Sequence, residues 1–202
     1  SSLVVQGGTR ELSFSDIQDR IYPMAAQYGA SSDKEVTVFT FEVHQDFLDE
    51  FYPIIKGLIL TPRFAEEDFS RTLVNQQNYV DQVIRASSDE DYSKMALEDL
   101  LFRGTNYQHM KQGTSEGVAN ITLAQVKDHY QKLFTRNNLT IGIAGNYSDS
   151  FLQQLRQDMS QLPDGNPVLP EPGKARMPNG IEVEIVAKAG AFGSVIFTGF
   201  PL

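Results

Sequence analysis

The chain contains no cysteine and no tryptophan. Without cysteine it has no disulfide, no thiolate nucleophile and no Cys-ligated zinc site. Histidine is scarce: His44, His109 and His129 are the whole supply, far apart in sequence. None stands in His-Glu-x-x-His or His-x-x-Glu-His, so neither helical zinc motif is present. Basic residues are few as well, 17 against 26 acidic, for a net charge of −9. Such a surface repels phosphate backbones and argues against nucleic acid as a partner. No run approaches the roughly 18 unbroken apolar residues of a membrane span. No Gly-x-Ser-x-Gly elbow occurs, and no Lys-Ser/Thr follows Gly142 or Gly145 to make a phosphate loop.

What remains is an ordinary globular composition. The 202 residues are 41% hydrophobic and 21% charged, enough for one domain with a core of useful size. The lack of cysteine fits a periplasmic or extracellular protein that avoids stray pairing.

Patterning predicts alternating helices and strands. Residues 13–27 read as a helix, with Ser13 or Ser15 as N-cap, Asp16 in the first turn and Pro23 forcing a kink or stop. Residues 29–33 read as a turn and 34–43 (KEVTVFTFEV) as a strand. From Asp46, the residues Phe47, Phe51, Ile54, Ile55, Leu58 and Ile59 recur at helical spacing, with Pro53 as an interruption. After a break at Thr61-Pro62-Arg63-Phe64, residues 66–85 form a long polar helix whose expected inner residues are Phe69, Leu73, Tyr79, Val80 and Val83. Ser87-Ser88-Asp89 recaps, and another helix runs to about Arg103.

Thr122 and Gln125 match a capping box, opening a helix with Val126, Tyr130, Leu133 and Phe134. Residues 138–145 read as a buried strand, and Ser148 starts a helix with Phe151, Leu152, Leu155 and Met159. Five prolines between Pro163 and Pro178 mark a loop. Strands are expected at 181–186 and 194–200, around a turn at 189–193.

Candidate chemistry is sparse. His44 with Asp46 and Asp49 contains ligand types, but reads as a strand end beside solvated acids. His129 reads as a surface residue of a helix; His109 lies in a loop, where function more often resides. The acid runs Glu66-Glu67-Asp68 and Asp89-Glu90-Asp91 read as helix starts that complement the dipole. Three glycosylation-type matches, at Asn120, Asn138 and Asn146, read as accidental.

The run from Leu101 to Tyr147 is the most specific part of the chain. It carries Gly113-Thr114, Glu116, Ile121-Thr122, Tyr130 and Asn138 in a loop–helix–strand order. Upstream, Gly8-Thr9 precedes a helix, a Tyr28-Gly29-Ala30 turn and a strand, and Thr61-Pro62-Arg63-Phe64 precedes an acid-led helix. In this order and spacing the chain resembles the insulinase/pitrilysin (inverzincin, M16-type) zinc peptidases over nearly its whole length. The resemblance implies an α+β fold, a mixed or antiparallel sheet with helices packed on one face.

It also implies where zinc ligands should fall. Counting back from Thr9, the second His of the motif falls at Leu3 and the Glu at Ser2, with the first His before Ser1. Counting from Arg71, the third ligand falls at Gln77 and a supporting acid at Ser70. Leu cannot bind zinc, Ser cannot act as base toward a metal-bound water, and an amide is a poor substitute for a carboxylate. No residue of this chain is therefore expected to be catalytic or metal-binding, although active family members carry zinc.

Residues 1–162 are expected to form the core of one domain, incomplete at its N-terminus. A loop at 163–178 and terminal strands of the same domain at 179–202 would follow, on a truncated chain. The leading expectation for function is a non-catalytic homologue, the structural or peptide-gripping partner of a second, zinc-bearing domain or subunit. The sheet edge and the Tyr107–Gly113 loop would serve as its contact surfaces. The alternatives are an active zinc metalloendopeptidase whose ligands lie outside this segment, and an interaction module with no peptide handling.

Overall fold

A computed structural model of the protein describes residues 2–84, 88–188, 190–191 and 193–200. The expected helix end at Arg85, the Ser87 cap, the turn residues Ala189 and Phe192, and Pro201-Leu202 lie outside these. The chain divides into two units, one of residues 1–32, 36–72 and 121–168, the other of residues 33–35, 73–120 and 169–202.

The first unit opens with helix α1 (Ser2–Gln6), whose Leu3, Val4 and Val5 are all buried. Gly8, at φ +74, ends it in a left-handed conformation that suits glycine. Helix α2 (Phe14–Ile21) follows, with Ser13 as N-cap in a reciprocal capping box with Asp16. It stops earlier than residue 27, because Pro23 turns the chain into a 3₁₀ segment at Tyr22–Met24.

Strand β1 (Gln27–Ser32) then takes in the end of the expected helix at Gln27 and most of the turn expected at 29–33. Its small residues carry little strand preference of their own; pairing with β2 (Thr37–Glu42) supplies it, antiparallel, with Tyr28 opposite Phe41 and Ala30 opposite Phe39. Alternation puts Phe39 and Phe41 inward and leaves Val38 exposed.

Helix α3 (Leu48–Leu60) runs through Pro53 without a break. An interior proline costs about 3 kcal/mol. Pro53 sits on the exposed side, and burial of Phe51, Ile54 and Leu58 on the other outweighs that cost at about 1.5–3 kcal/mol each. The core gathers Ile17, Ile21 and Met24 against Phe51, Ile54 and Leu58, with Tyr28 and Phe41 of the hairpin packed on it. Helices thus cover the aromatic face of an antiparallel hairpin, an α+β arrangement.

Helix α4 (Glu66–Asn78) continues into a π-helical turn at Tyr79–Ile84. The wider turn shifts the phase: Val80 and Ile84 are buried while Tyr79 and Val83, expected inside, are exposed.

In the second unit, Ser88 caps helix α5 (Asp89–Phe102), and Thr114 caps a short helix α6 (Ser115–Ala119) that patterning did not reveal. Arg176 N–H donates to Leu101 O at 2.9 Å, and Lys188 pairs with Asp89 at 2.6 Å, so the C-terminal segment follows α5.

Back in the first unit, helix α7 (Leu123–Leu133) has the expected Thr122–Gln125 capping box, and helix α8 (Asp149–Met159) the expected Ser148 cap. Residues 139–145, 181–186 and 194–200 make no ladder among the described residues. Leu139, Ile141 and Ile143 are exposed where a buried strand was expected, and Asn138 and Asn146 are exposed with them. A strand sequence takes up sheet geometry only beside a partner that satisfies its backbone groups.

Candidate functional site

The positions at which zinc ligands would fall have well-defined surroundings. Ser2 and Leu3 belong to α1, and Leu3 is buried at 5% exposure. Beyond α1 the Gly-Thr pair is clasped to the Pro62 break. Thr9 bridges Pro62, Arg10 N–H donates to Thr61 O at 3.0 Å, and Arg63 N–H donates to Gly8 O at 3.1 Å. Thr9 Oγ1 accepts the N–H groups of Glu11 and Leu12 at 3.2 and 3.0 Å, and its methyl leaves no room for a Cβ on Gly57.

Arg71 completes this scaffold. It pairs with the buried Asp68 at 2.9 Å, donates to Gln6 O at 2.6 Å, and lies over the Phe14 ring at 5.2 Å. The arginine used to locate the third ligand thus caps the C-terminal end of α1, as a cation there should.

Ser70 is exposed on α4. Gln77 stands in the second unit, where its Nε2 donates to Asp81 Oδ2 at 2.6 Å and Ser115 Oγ at 2.9 Å. Its Oε1 is buried without a partner among the described residues. The neighbouring Gln76 donates to Gln112 O at 2.8 Å. Both amides therefore secure the segment that leads into α6. Donation by Gln77 is a role a carboxylate could not take.

The histidines are scattered. His44 follows β2 and caps the 3₁₀ turn at Gln45–Phe47, accepting Asp46 N–H at 3.3 Å; it is exposed. His109 and His129 are exposed on the loop and on α7. Among the described residues no group of three His, Asp or Glu could hold a metal ion.

In the loop before α6, Tyr107 donates through its hydroxyl to Glu35 and accepts Lys34 Nζ on its carbonyl at 2.8 Å. Lys34 also pairs with Glu98 at 2.6 Å. Burial is not the main influence on Tyr107: the bond to Glu35 raises its hydroxyl pKa, with burial and the nearby acids adding to it.

Two features escaped sequence reading. The first is a cleft of about 500 Å³ in the first unit, lined by Ser2, Val5 and Gln6 of α1, Phe14, Gln18 and Ile21 of α2, and residues 26–30. Four consecutive residues of β1 line it, whereas alternate ones would line a face; the cleft therefore meets the strand at its edge. That edge has no ladder partner among the described residues. Only the Phe14/Gln18/Ile21 spacing on α2 was a usable signal.

The second is a buried polar group. Asp158 accepts Tyr52 Oη at 2.9 Å and Lys56 Nζ at 2.7 Å, across 106 and 102 residues, which no local pattern reveals. Burial pushes the Asp158 carboxyl up, but the bonds from Lys56 and Tyr52 outweigh it and leave the pKa below the ordinary carboxylate value. Burial, and then Asp158 itself, raises the Tyr52 hydroxyl well above the ordinary phenol range.

The described residues form an α+β domain, and none of the positions at which the resemblance places zinc ligands in this chain carries His, Cys, Asp or Glu. No family model matches the chain. It is 25% identical over 164 residues to the non-peptidase homologue YmxG of Helicobacter pylori, covering 80% of this chain and 37% of that protein. It is 23% identical to the uncharacterised zinc protease YmxG of Bacillus subtilis, covering 74% and 36%. The chain thus spans little more than a third of the length of these curated relatives.

Among solved structures, an M16 peptidase inactive domain from Pseudomonas fluorescens superposes with a TM-score of 0.75 at 18% identity, over 87% of this chain and 42% of that one. The periplasmic protease PqqL of Escherichia coli does so with a TM-score of 0.69 at 15% identity, over 88% and 20%. The chain is a homologue of the insulinase/pitrilysin (M16) peptidases, as the order of its motifs implied. No helix among the described residues is long and apolar enough to cross a membrane.

Proposed function

We propose that this chain is a non-catalytic M16 domain that supports, or grips peptide for, a zinc-bearing domain or subunit. The observation that carries this reading is the fate of the ligand positions. Leu3 is packed into the core, and the Gln77 amide is committed to Asp81 and Ser115. Each of these two side chains has a structural part of its own, and neither is a group that binds zinc well. The name non-peptidase homologue, carried by a relative, agrees with it.

For gripping, the β1 edge beside the α1–α2 cleft offers unpaired backbone groups to an extended peptide. The Tyr107–Gly113 loop is a second contact surface for a partner domain. A periplasmic setting accords with the absence of cysteine and with the PqqL likeness.

A zinc protease name on another relative favours the competing reading, an active peptidase with ligands outside this segment. The test uses the full-length protein. Zinc is measured by elemental analysis, peptide cleavage is assayed with and without a chelator, and binding of the same peptides is measured by calorimetry. Binding without zinc-dependent cleavage supports the proposal. Chelator-sensitive cleavage overturns it, and neither binding nor cleavage leaves the peptide-free interaction module.

A further inference from the structure

We propose that Asn179-Gly180 is a site of spontaneous covalent modification, at which the asparagine converts through a succinimide to aspartate and isoaspartate. The reaction needs a flexible, uncrowded residue after the asparagine, an unengaged backbone nitrogen there, and an unengaged side-chain amide. All three are present. Gly180 sits at φ +84, and nothing lies within 4 Å of where a Cβ would be. Its N–H donates to no group among the described residues, and the exposed Asn179 amide has no hydrogen bond there either.

The chain carries its own contrast at Asp164-Gly165, which has the same local chemistry in a weaker form. There Asp164 pairs with Arg136, Pro163 O accepts Arg136 N–H at 3.0 Å, and Gly165 O accepts Thr135 Oγ1 at 3.2 Å. A Cβ on Gly165 would meet the Thr135 methyl at 2.7 Å, so that backbone is clamped where Gly180 is open.

In the step itself, the Gly180 nitrogen gives up its proton to solvent and bonds to Asn179 Cγ. The Cγ–Nδ2 bond breaks and ammonia leaves. Water then opens one or other C–N bond of the imide, giving aspartate or isoaspartate. No oxidant or metal takes part. The isoaspartyl product lengthens the backbone by one methylene between Arg176 and Glu182. Arg176 Nη1 holds Glu182 at 2.9 Å, and Glu182 also accepts Asn179 N–H at 3.4 Å. The modification therefore loosens the contact that keeps this segment on the end of α5.

The test is incubation of the full chain at neutral to mildly alkaline pH, followed by peptide mapping and isoaspartyl methyltransferase labelling. The expected result is loss of the unmodified 179-bearing peptide, with a one-dalton gain and methyl incorporation at residue 179. Asp164, Asn146 and Asn166 should stay far less converted, and Asn179→Gln should abolish the signal without shifting the melting temperature. Conversion at residue 164 equal to that at 179, or an unchanged 179 peptide when other asparagines convert, overturns the proposal.

Discussion

Gln77 Nε2 lies 2.6 Å from Asp81 Oδ2, one helical turn along, and donates to it. The bond decides what restoring a family-like carboxylate would do. Gln77→Glu would set two carboxylates against each other and remove the donor that holds Ser115. The expected loss is about 1–3 kcal/mol at neutral pH. It should shrink in acid, as the pair takes up a proton. Zinc content should not rise, because Leu3 still faces the core. Denaturant titration of Gln77→Glu and of Gln77→Glu/Asp81→Asn checks this; the second change should recover much of the loss.

Asp158 gives the fold an acid-sensitive tie between α3 and α8. Its carboxyl has a lower pKa folded than unfolded, because the bonds from Lys56 and Tyr52 outweigh burial. A depressed pKa contributes stability that is fully present above the unfolded value, about 4, and lost as pH falls through the folded value. Asp158→Asn should flatten the acid limb of the stability curve and cost about 1–3 kcal/mol at pH 7. Tyr52→Phe should cost about 1 kcal/mol and leave most of the acid limb in place, since Lys56 remains. Urea midpoints measured from neutral pH downward separate the two.

The clasp around the Gly-Thr pair makes a steric prediction. A methyl on Gly57 would lie 2.7 Å from Thr9 Cγ2. Gly57→Ala should therefore destabilise by about 1–3 kcal/mol, despite alanine's better helix propensity. Thr9→Ser removes the offending methyl but keeps the hydroxyl that accepts the Glu11 and Leu12 N–H groups. The double variant should be closer to the parent protein than Gly57→Ala is. If it is no better, the clash is not the cause.

Helices were the legible part of this fold because their signals are local. Ser13, Ser88, Thr122 and Ser148 each cap the helix they were expected to start. Strands were legible only in part: the β-branched and aromatic run at 34–43 holds β2 (Thr37–Glu42), but elsewhere pairing decides them. Residues 29–33 look like a turn and mostly lie in β1, while NLTIGIAG at 138–145 looks like a strand and finds no partner among the described residues. Counting along the motifs assigns the ligand positions from sequence alone. What occupies them structurally was not legible, since the Gln77–Ser115 and Tyr52–Asp158 bonds join residues 38 and 106 apart.

Ala25 offers a stabilising change. It closes the 3₁₀ turn after Pro23 at φ 48 and ψ 28, a left-handed conformation in which a Cβ crowds the backbone. A glycine in its place would relieve that crowding but would also give the unfolded chain more freedom to lose. The first effect is about 1–2 kcal/mol and the second up to about 1 kcal/mol, so a net gain of a few tenths to about 1 kcal/mol is expected for Ala25→Gly. The side chain at residue 25 is exposed, so no core contact is lost. A melting temperature that falls on this substitution would show that the turn is not left-handed in solution.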